Sequence, residues 1–463
     1  MNLRTELMPH QIDAMNKVLP TRIGALFMEM GTGKSRTAIE LVSRRLDKID
    51  RVIWFCPVSL KETVRQEILK HTDCAPADIH VFNSRTNDRN TPCAWWYVVG
   101  IESMSSSARV VHAVNKLVTT MSMVILDESS YIKGHNSMRT QRITHICQRA
   151  RYRLILTGTP LSQGVVDLFA QMRFLSPKIL GYNSFYSFAA NHLEYSEKYH
   201  GMIVRAHNVP YLAAKIAPYT YQVTKGECLS LPDKLHTARY FYMTSEQAYY
   251  YERVKDDILS EIDDHDDWGA SLAIFRLFSY LQQITCGFCN RWKEPVKFEH
   301  HRLDMLRDVI DSIPPDERVI IWCKYRHDIE QIKCVLGSDI ALFYGDLSER
   351  RRTEEVQKFR QGARFFLSTQ QCGGHGLTLN EAHHVIFYNN AFKYSERLQA
   401  EDRCHRIGQQ HKVTYIDIHC VDSIDDRISE ALAKKGSVVS AFRDEVEKVK
   451  SQKNALKELI KSL

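Results

Sequence analysis

Nowhere in its 463 residues does this chain carry an uncharged apolar run long enough to cross a bilayer as a helix, and its start lacks the basic-then-apolar pattern of a secretory leader. The expectation is a soluble intracellular protein with no membrane partner. Disulfide-framework spacing is missing too: the 12 cysteines are scattered and often sit inside apolar runs, as in Phe55-Cys56 and His419-Cys420, which suits reduced thiols. Cys286-Gly287-Phe288-Cys289 has the spacing of half a zinc knuckle, yet no second Cys or His pair follows at ribbon distance, so no metal is expected there. Charge of one sign is scarce. Lys plus Arg at 62 against Asp plus Glu at 55 leave +7, a surplus that suits a phosphate-tracking groove without demanding one. Hydrophobic content, at 44%, is ample for real cores, and the length suits roughly three compact units or fewer large ones.

Three segments stand out from that even background. Gly24-Ala25-Leu26-Phe27-Met28 reads as an apolar strand and Ser35-Arg36-Thr37-Ala38-Ile39-Glu40-Leu41-Val42 as an amphipathic helix, so the glycines of Met28-Glu29-Met30-Gly31-Thr32-Gly33-Lys34-Ser35 lie at a strand-to-helix turn. Backbone N–H groups of Gly31, Thr32 and Gly33, at the positive end of a helix, can cradle phosphate. Lys34 has the reach for β- and γ-phosphates and Ser35 the hydroxyl for Mg²⁺, which makes ATP with Mg²⁺ the expected ligands. Met28 stands where the consensus loop opens with glycine, and a glycine-rich surface turn is the bland alternative. Met123-Val124-Ile125-Leu126 is a buried-strand run that delivers Asp127 and Glu128 to a strand's carboxyl end, where open α/β sheets bind ligands. Asp127 is expected to hold Mg²⁺ and Glu128 to polarise the attacking water, against the alternative of an acidic helix cap. Near the other end of the chain, Gln399-Ala400-Glu401-Asp402-Arg403-Cys404-His405-Arg406-Ile407-Gly408-Gln409 can supply Arg403 and Arg406 to a transferring phosphate. An ATP site split between distant segments suggests a motor.

In these segments the chain resembles superfamily 2 helicase-type ATPases, and closest to their Swi/Snf-like branch of duplex-DNA translocases. Asp127 to Ser137 is similar to that branch's extended second motif, Leu156-Thr157-Gly158-Thr159-Pro160-Leu161 to its third, and Gln399 to Gln409 to its sixth almost letter for letter. The resemblance implies further roles, box by box. Leu7-Met8-Pro9-His10-Gln11 resembles the adenine-reading element, which makes Gln11 an adenine contact. Val52 to Leu60 resembles the strand and turn leading to a DNA-contacting helix start, where Ser59 and Lys61 would hold a DNA phosphate. Val319 to Tyr325 looks like the opening strand of a second lobe, with Lys324 as a DNA contact. Leu367 to Leu379 resembles the fifth motif, which implies DNA contacts by Ser368 and Thr369 and a nucleotide contact by Gly376. Thr157, Gly158, Thr159 and Gln399 would couple the nucleotide cleft to the DNA groove. Gly100-Ile101-Glu102-Ser103 only loosely resembles the family's Thr-Ser-Tyr-Glu element, with Ser103 in the phosphate-contacting place.

Strand and helix alternation gives an α/β chain with two RecA-like parallel-sheet lobes, and the helix-rich stretches between them stand where the resemblance implies helical protrusions. The expected divisions are lobe 1 over 1–165, a helical protrusion over 166–222, a linker over 223–240, a second protrusion over 241–299, lobe 2 over 300–425, and a C-terminal helical brace over 426–463. Trp95-Trp96-Tyr97-Val98-Val99 reads as a strand of the first core, not a base-stacking platform, because no Lys or Arg cluster flanks it.

The activity these resemblances imply is that of a DNA-dependent ATPase and helicase acting in replication, repair or recombination. It would track on duplex DNA and remodel branched DNA by fork or branch migration. Two rivals stand beside it: a translocase that strips bound proteins without separating strands, and an ATP-switched DNA clamp that recruits partners. No second acidic metal cluster accompanies the motor boxes, so a nuclease is not indicated. The compact spacing is similar to that of bacterial and viral members, which makes a bacterial cytoplasm or nucleoid the expected setting, with a viral origin as the alternative.

Overall fold

The computed structural model describes residues 1–158, 164–195, 203–229, 232–263, 267–373, 377–434, 459–460 and 463. The chain divides into two compact units, Met1–Ser230 and Leu231–Leu463. Each is built on a parallel sheet wrapped by helices on both faces, the RecA-like lobe that the strand and helix alternation anticipates.

In the first unit the strands are β1 (Ile23–Met28), β2 (Arg51–Cys56), β3 (Ile79–Val81), β4 (Trp96–Gly100), β5 (Ser122–Asp127) and β6 (Tyr152–Thr157). A short antiparallel hairpin of β7 (Leu193–Tyr195) and β8 (Ile203–Ala206) follows, and then β9 (Thr220–Val223). The sheet order is β3-β4-β2-β5-β6-β1-β9. Runs such as Val52-Ile53-Trp54-Phe55-Cys56 are buried throughout because both faces are covered. Alternate residues feed different cores: Phe27, Phe55 and Leu126 pack on one face, and Met28, Trp54 and Ile125 on the other. Trp96 is fully buried in β4 with its ring 6.2 Å from that of Trp54, as expected of a core strand.

The second unit holds β10 (Lys234–Phe241), a two-stranded hairpin of β11 (Phe288–Cys289) and β12 (Val296–Lys297), and β13 (Val319–Cys323), β14 (Ile340–Phe343), β15 (Phe365–Thr369), β16 (His384–Phe387) and β17 (Val413–Cys420). Its main sheet runs β10-β17-β16-β13-β15-β14, again all parallel. Arg302 is fully buried at the heart of this unit. Its guanidinium donates to the carbonyls of Thr285, Tyr388 and Ile418 and pairs with Asp425, tying two helices to β16 and β17.

The expected divisions meet three differences. Residues 223–240, read as a linker, include the end of β9 and most of β10, which pairs with β17 over its full length. An edge strand of polar, half-exposed residues such as Lys234-Leu235-His236-Thr237 carries little strand signal. The segment read as a first protrusion is not separate: Leu168, Phe169, Met172, Phe188 and Leu212 share one core with Phe27 and Phe55. The helices Ser245–Asp263 and Asp267–Thr285 pack with the helix Ile424–Ala433 and with Ile460 and Leu463 of the tail, and Tyr251 donates to the Leu463 carbonyl at 2.9 Å. Most of the segment read as a brace lies outside the described residues.

Candidate active site

Three of the sequence motifs meet at the carboxyl edge of the first sheet. β6 lies between β5 and β1, so the acid pair after β5 and the phosphate loop after β1 flank the Thr157-Gly158 step that ends β6. Gly158 lies close to the loop: a Cβ there would sit tightly, 3.2 Å from the Met30 nitrogen and 3.4 Å from the Met28 carbonyl oxygen. Thr157 is fully buried beside Phe27 of β1. Thr159 lies outside the described residues.

The loop itself turns through left-handed backbone at Gly31 and Gly33, with φ of 81° and 87°, and Gly33 caps the helix Lys34–Ser43. Lys34 Nζ donates to the Met28 carbonyl at 2.9 Å and lies 3.4 Å from that of Glu29, which places it over the loop. Thr32 is buried and its hydroxyl donates to the Glu29 carbonyl. Ser35 is half-buried in the first turn of the helix. Asp127 ends β5, and its carboxylate accepts the Glu128 N–H at 2.9 Å. Glu128 holds left-handed backbone, φ 50° and ψ 57°, a conformation that costs about 1–2 kcal/mol for a residue with a Cβ and recurs at functional sites.

Both carboxylates are buried. Burial and the neighbouring Glu128 push Asp127 up to about 7, with the Lys34 charge opposing. A divalent cation removes that cost, and phosphate suits a positive-φ glycine loop at a helix start, so the residues present fit Mg²⁺ and a nucleoside triphosphate.

Gln11 has a different post from the one anticipated. Its carboxamide is buried, with Oε1 accepting from Met8 N–H at 3.0 Å and Nε2 donating to the Thr32 carbonyl at 3.1 Å. The side chain therefore latches the helix Pro9–Val18 to the phosphate loop, and His10 Nε2 meets the same carbonyl at 2.7 Å.

In the second unit Arg403 and Arg406 converge on one acceptor. Both Nη1 atoms donate to the Leu377 carbonyl, at 3.2 Å and 3.0 Å, and Arg403 also donates to the Gln399 carbonyl. Arg403 is buried, whereas Arg406 is half-exposed, so of the two Arg406 has the accessible guanidinium. Gln399 is half-buried on the helix Tyr394–Glu401. Gly376 lies outside the described residues.

The expected DNA contacts divide. Ser59 is exposed just before the helix Lys61–His71, and Thr369 is half-buried at the carboxyl end of β15. Lys61 is turned into the fold and donates to the Phe82 carbonyl at 2.9 Å, and Ser368 is fully buried within β15. Lys324 donates to Gln282 Oε1 at 2.7 Å and lies over the Phe392 ring; burial pushes its ammonium down to about 7. These three face inward because strand and helix ends alternate sides, which a motif string does not show. Glu102, in the box where Ser103 was singled out, accepts the Val58 N–H at 2.9 Å and so occupies one backbone donor of the turn at Ser59. The two thiols of the Cys286-Cys289 pair are buried; burial pushes them up to about 12 and about 11, and Cys286 Sγ meets Asn389 Nδ2.

A phosphate loop and acid pair on one parallel sheet, with an arginine pair on a second, define a helicase-type ATPase. The chain belongs to the SNF2-related family: residues 15–287, more than half of it, match the SNF2-related domain, and residues 301–408 match the helicase conserved C-terminal domain. It is 26% identical over 322 residues to an uncharacterised ATP-dependent helicase of Mycoplasma genitalium, covering 68% of this chain and 30% of that protein. It is also 26% identical over 474 residues to the human DNA annealing helicase and endonuclease ZRANB3, covering 97% of this chain and 42% of that one. The chain thus spans less than half the length of these curated relatives. Among solved structures, the Sulfolobus solfataricus SWI2/SNF2 ATPase core in complex with dsDNA aligns with a TM-score of 0.44 at 22% identity, over 99% of this chain and 96% of that one. Among the described residues no helix is long and apolar enough to cross a membrane.

Proposed function

We propose that this chain is an ATP-driven DNA translocase that tracks on duplex DNA and remodels branched DNA, as at forks or migrating junctions. The observation that carries the reading is the meeting of the phosphate loop, the acid pair and the Thr157-Gly158 step at one sheet edge. Family membership and a relative named as a DNA annealing helicase support it. In this reading Lys34 neutralises the β- and γ-phosphates, Ser35 and Asp127 hold the metal, and Glu128 orients the attacking water. Mg²⁺ supplies charge neutralisation at the transferring phosphoryl group. Arg406 is the arginine offered to the developing charge, and Arg403 holds the segment that carries it. Gly158 transmits movement of the phosphate loop to β6, because the space beside its Cα is bounded by the loop's backbone at Met28 and Met30. Ser59, which is exposed, and Thr369, at the end of its strand, are read as DNA-backbone contacts, and backbone contacts carry no base information, so tracking is independent of sequence.

The test is ATP turnover with single strands, duplex, fork and four-way junction, followed by a branch-migration assay on the best activator. Turnover stimulated by duplex together with ATP-dependent junction movement is expected. Turnover with displacement of a bound block but no strand rearrangement would leave the protein-stripping translocase. Turnover that moves neither junction nor block would leave the ATP-switched clamp.

A further inference from the structure

At the amino-terminal edge of the second sheet, opposite the edge where β15 ends at Thr369, three side chains outside the motor motifs converge. β13 and β16 are parallel neighbours with Val319 paired to His384, so Glu317, two residues before β13, and His383, just before β16, reach one corner. Glu317 Oε2 lies 2.8 Å from His384 Nδ1 and 3.2 Å from His383 Nε2, and one ligand-type atom from each residue lies within 4.8 Å of the others. Glu317 Oε2 and His384 Nδ1 are buried, and neither has a hydrogen-bond partner, their close approach included. These two atoms, 2.8 Å apart, form an ion pair only when the His384 ring is protonated. As ligands of one cation they are well placed: bonds of about 2.0–2.2 Å in tetrahedral geometry put ligand atoms roughly 3.4 Å apart. His411 stacks on the His383 ring, with centroids 4.9 Å apart, and restricts its plane.

The corner is wired to the arginine segment. Leu379 N–H donates to the Arg403 carbonyl at 2.9 Å, and Gln409 Nε2 donates to the carbonyls of Ala382, at 3.0 Å, and Asn380, at 3.4 Å. Residues 379–384 thus run from the sixth motif directly into the His pair.

We propose that Glu317, His383 and His384 bind one first-row transition-metal ion of the zinc class, fastening residues 379–384 and with them the backbone that positions Arg403 and Arg406. Imidazole and carboxylate donors suit zinc, cobalt and nickel, and three protein ligands leave a position for water. The site is separate from the one read for Mg²⁺, whose donors are the Ser35 hydroxyl and the Asp127 carboxylate on the other unit.

Titration of the metal-free full chain with Co²⁺, in excess Mg²⁺, reads the ligand type directly. About one equivalent should produce a visible d–d absorption without a thiolate charge-transfer band, which sets this site apart from the 12 cysteines. Glu317→Gln and His384→Ala should each weaken binding by more than ~10-fold, the scale that loss of even an outer partner reaches, with far-UV circular dichroism unchanged. Zn²⁺ should displace the Co²⁺ and slow amide exchange across residues 379–384. His383→Ala serves if His384→Ala fails to fold, and it should show the same loss. A thiolate signature, no visible band, or wild-type Co²⁺ affinity in Glu317→Gln would overturn the assignment.

Discussion

Gly33→Ala tests whether the helix Pro9–Val18 and the phosphate loop act as one unit. Gly33 sits at φ +87°, where a side chain costs about 1–2 kcal/mol. The new Cβ would fall 2.1 Å from Gln11 Nε2, so the Gln11 carboxamide must leave its place. Leaving breaks its bonds to Met8 N–H and the Thr32 carbonyl in a buried setting, a further cost of about 1–3 kcal/mol. The sum of about 2–5 kcal/mol corresponds to at least a ~25-fold loss of nucleotide affinity if the loop binds in the form described. Titration with a fluorescent nucleotide measures it, and amide exchange at Thr32 reports the loop. Gln11→Ala alone should lose only the contacts of its carboxamide, and in the double variant those contacts are already gone. The double variant should therefore bind about as well as Gly33→Ala alone. Losses that simply multiply, or a Gly33→Ala protein within ~3-fold of wild type, would refute the latch.

Four further outcomes are expected. Lys34→Ala should abolish nucleotide-dependent turnover, whereas Glu128→Gln should still bind ATP with Mg²⁺ and turn it over at least ~100-fold more slowly; equilibrium binding beside steady-state hydrolysis separates the two roles. Arg406→Ala should keep a wild-type melting profile and lose about 10³-fold in DNA-stimulated turnover, while Arg403→Ala, which empties a buried position, should also lower the melting temperature of the second unit. Arg302→Met should cost the second unit about 3–5 kcal/mol by leaving Asp425 unpaired, read as faster amide exchange in β16 and β17, and adding Asp425→Leu should recover much of it. Lys324 has a folded value of about 7, so between there and the ordinary lysine value the unfolded chain holds a proton the folded chain has lost; stability rises with pH across that range and the cost is complete below it. Lys324→Met should accordingly gain most in denaturant resistance at pH 6 and little by pH 10, and an equal gain at both would count against the lowered value of this half-buried lysine.

The backbone geometry of the phosphate loop and of the acid pair was legible because it depends on residues close in sequence. The strand-loop-helix run around Gly31 to Ser35 carries its own geometry, and Asp127-Glu128 announces itself at the end of a buried strand. What the motifs did not show was side-chain direction. Lys61, Ser368 and Lys324 sit in the boxes where DNA contacts were expected, yet each turns inward, and Gln11 spends its amide on the loop. Nothing in a motif's letters states which face of its strand or helix is covered. β10 hid for the related reason that an edge strand needs no continuous apolar run.

The sequence by itself determined the class: buried-strand runs at regular intervals impose two parallel sheets, and glycine, lysine and acid placed at strand ends impose phosphate chemistry, because both depend on neighbours a few residues apart. Only the tertiary structure decided which strands lie side by side. That order brings Gly158 against the phosphate loop, aims Arg403 and Arg406 at one carbonyl, and gathers Glu317 with His383 and His384 across more than sixty residues of chain. Such meetings follow from sheet order and from the burial of two faces at once, quantities that belong to the folded chain and not to any window of its sequence.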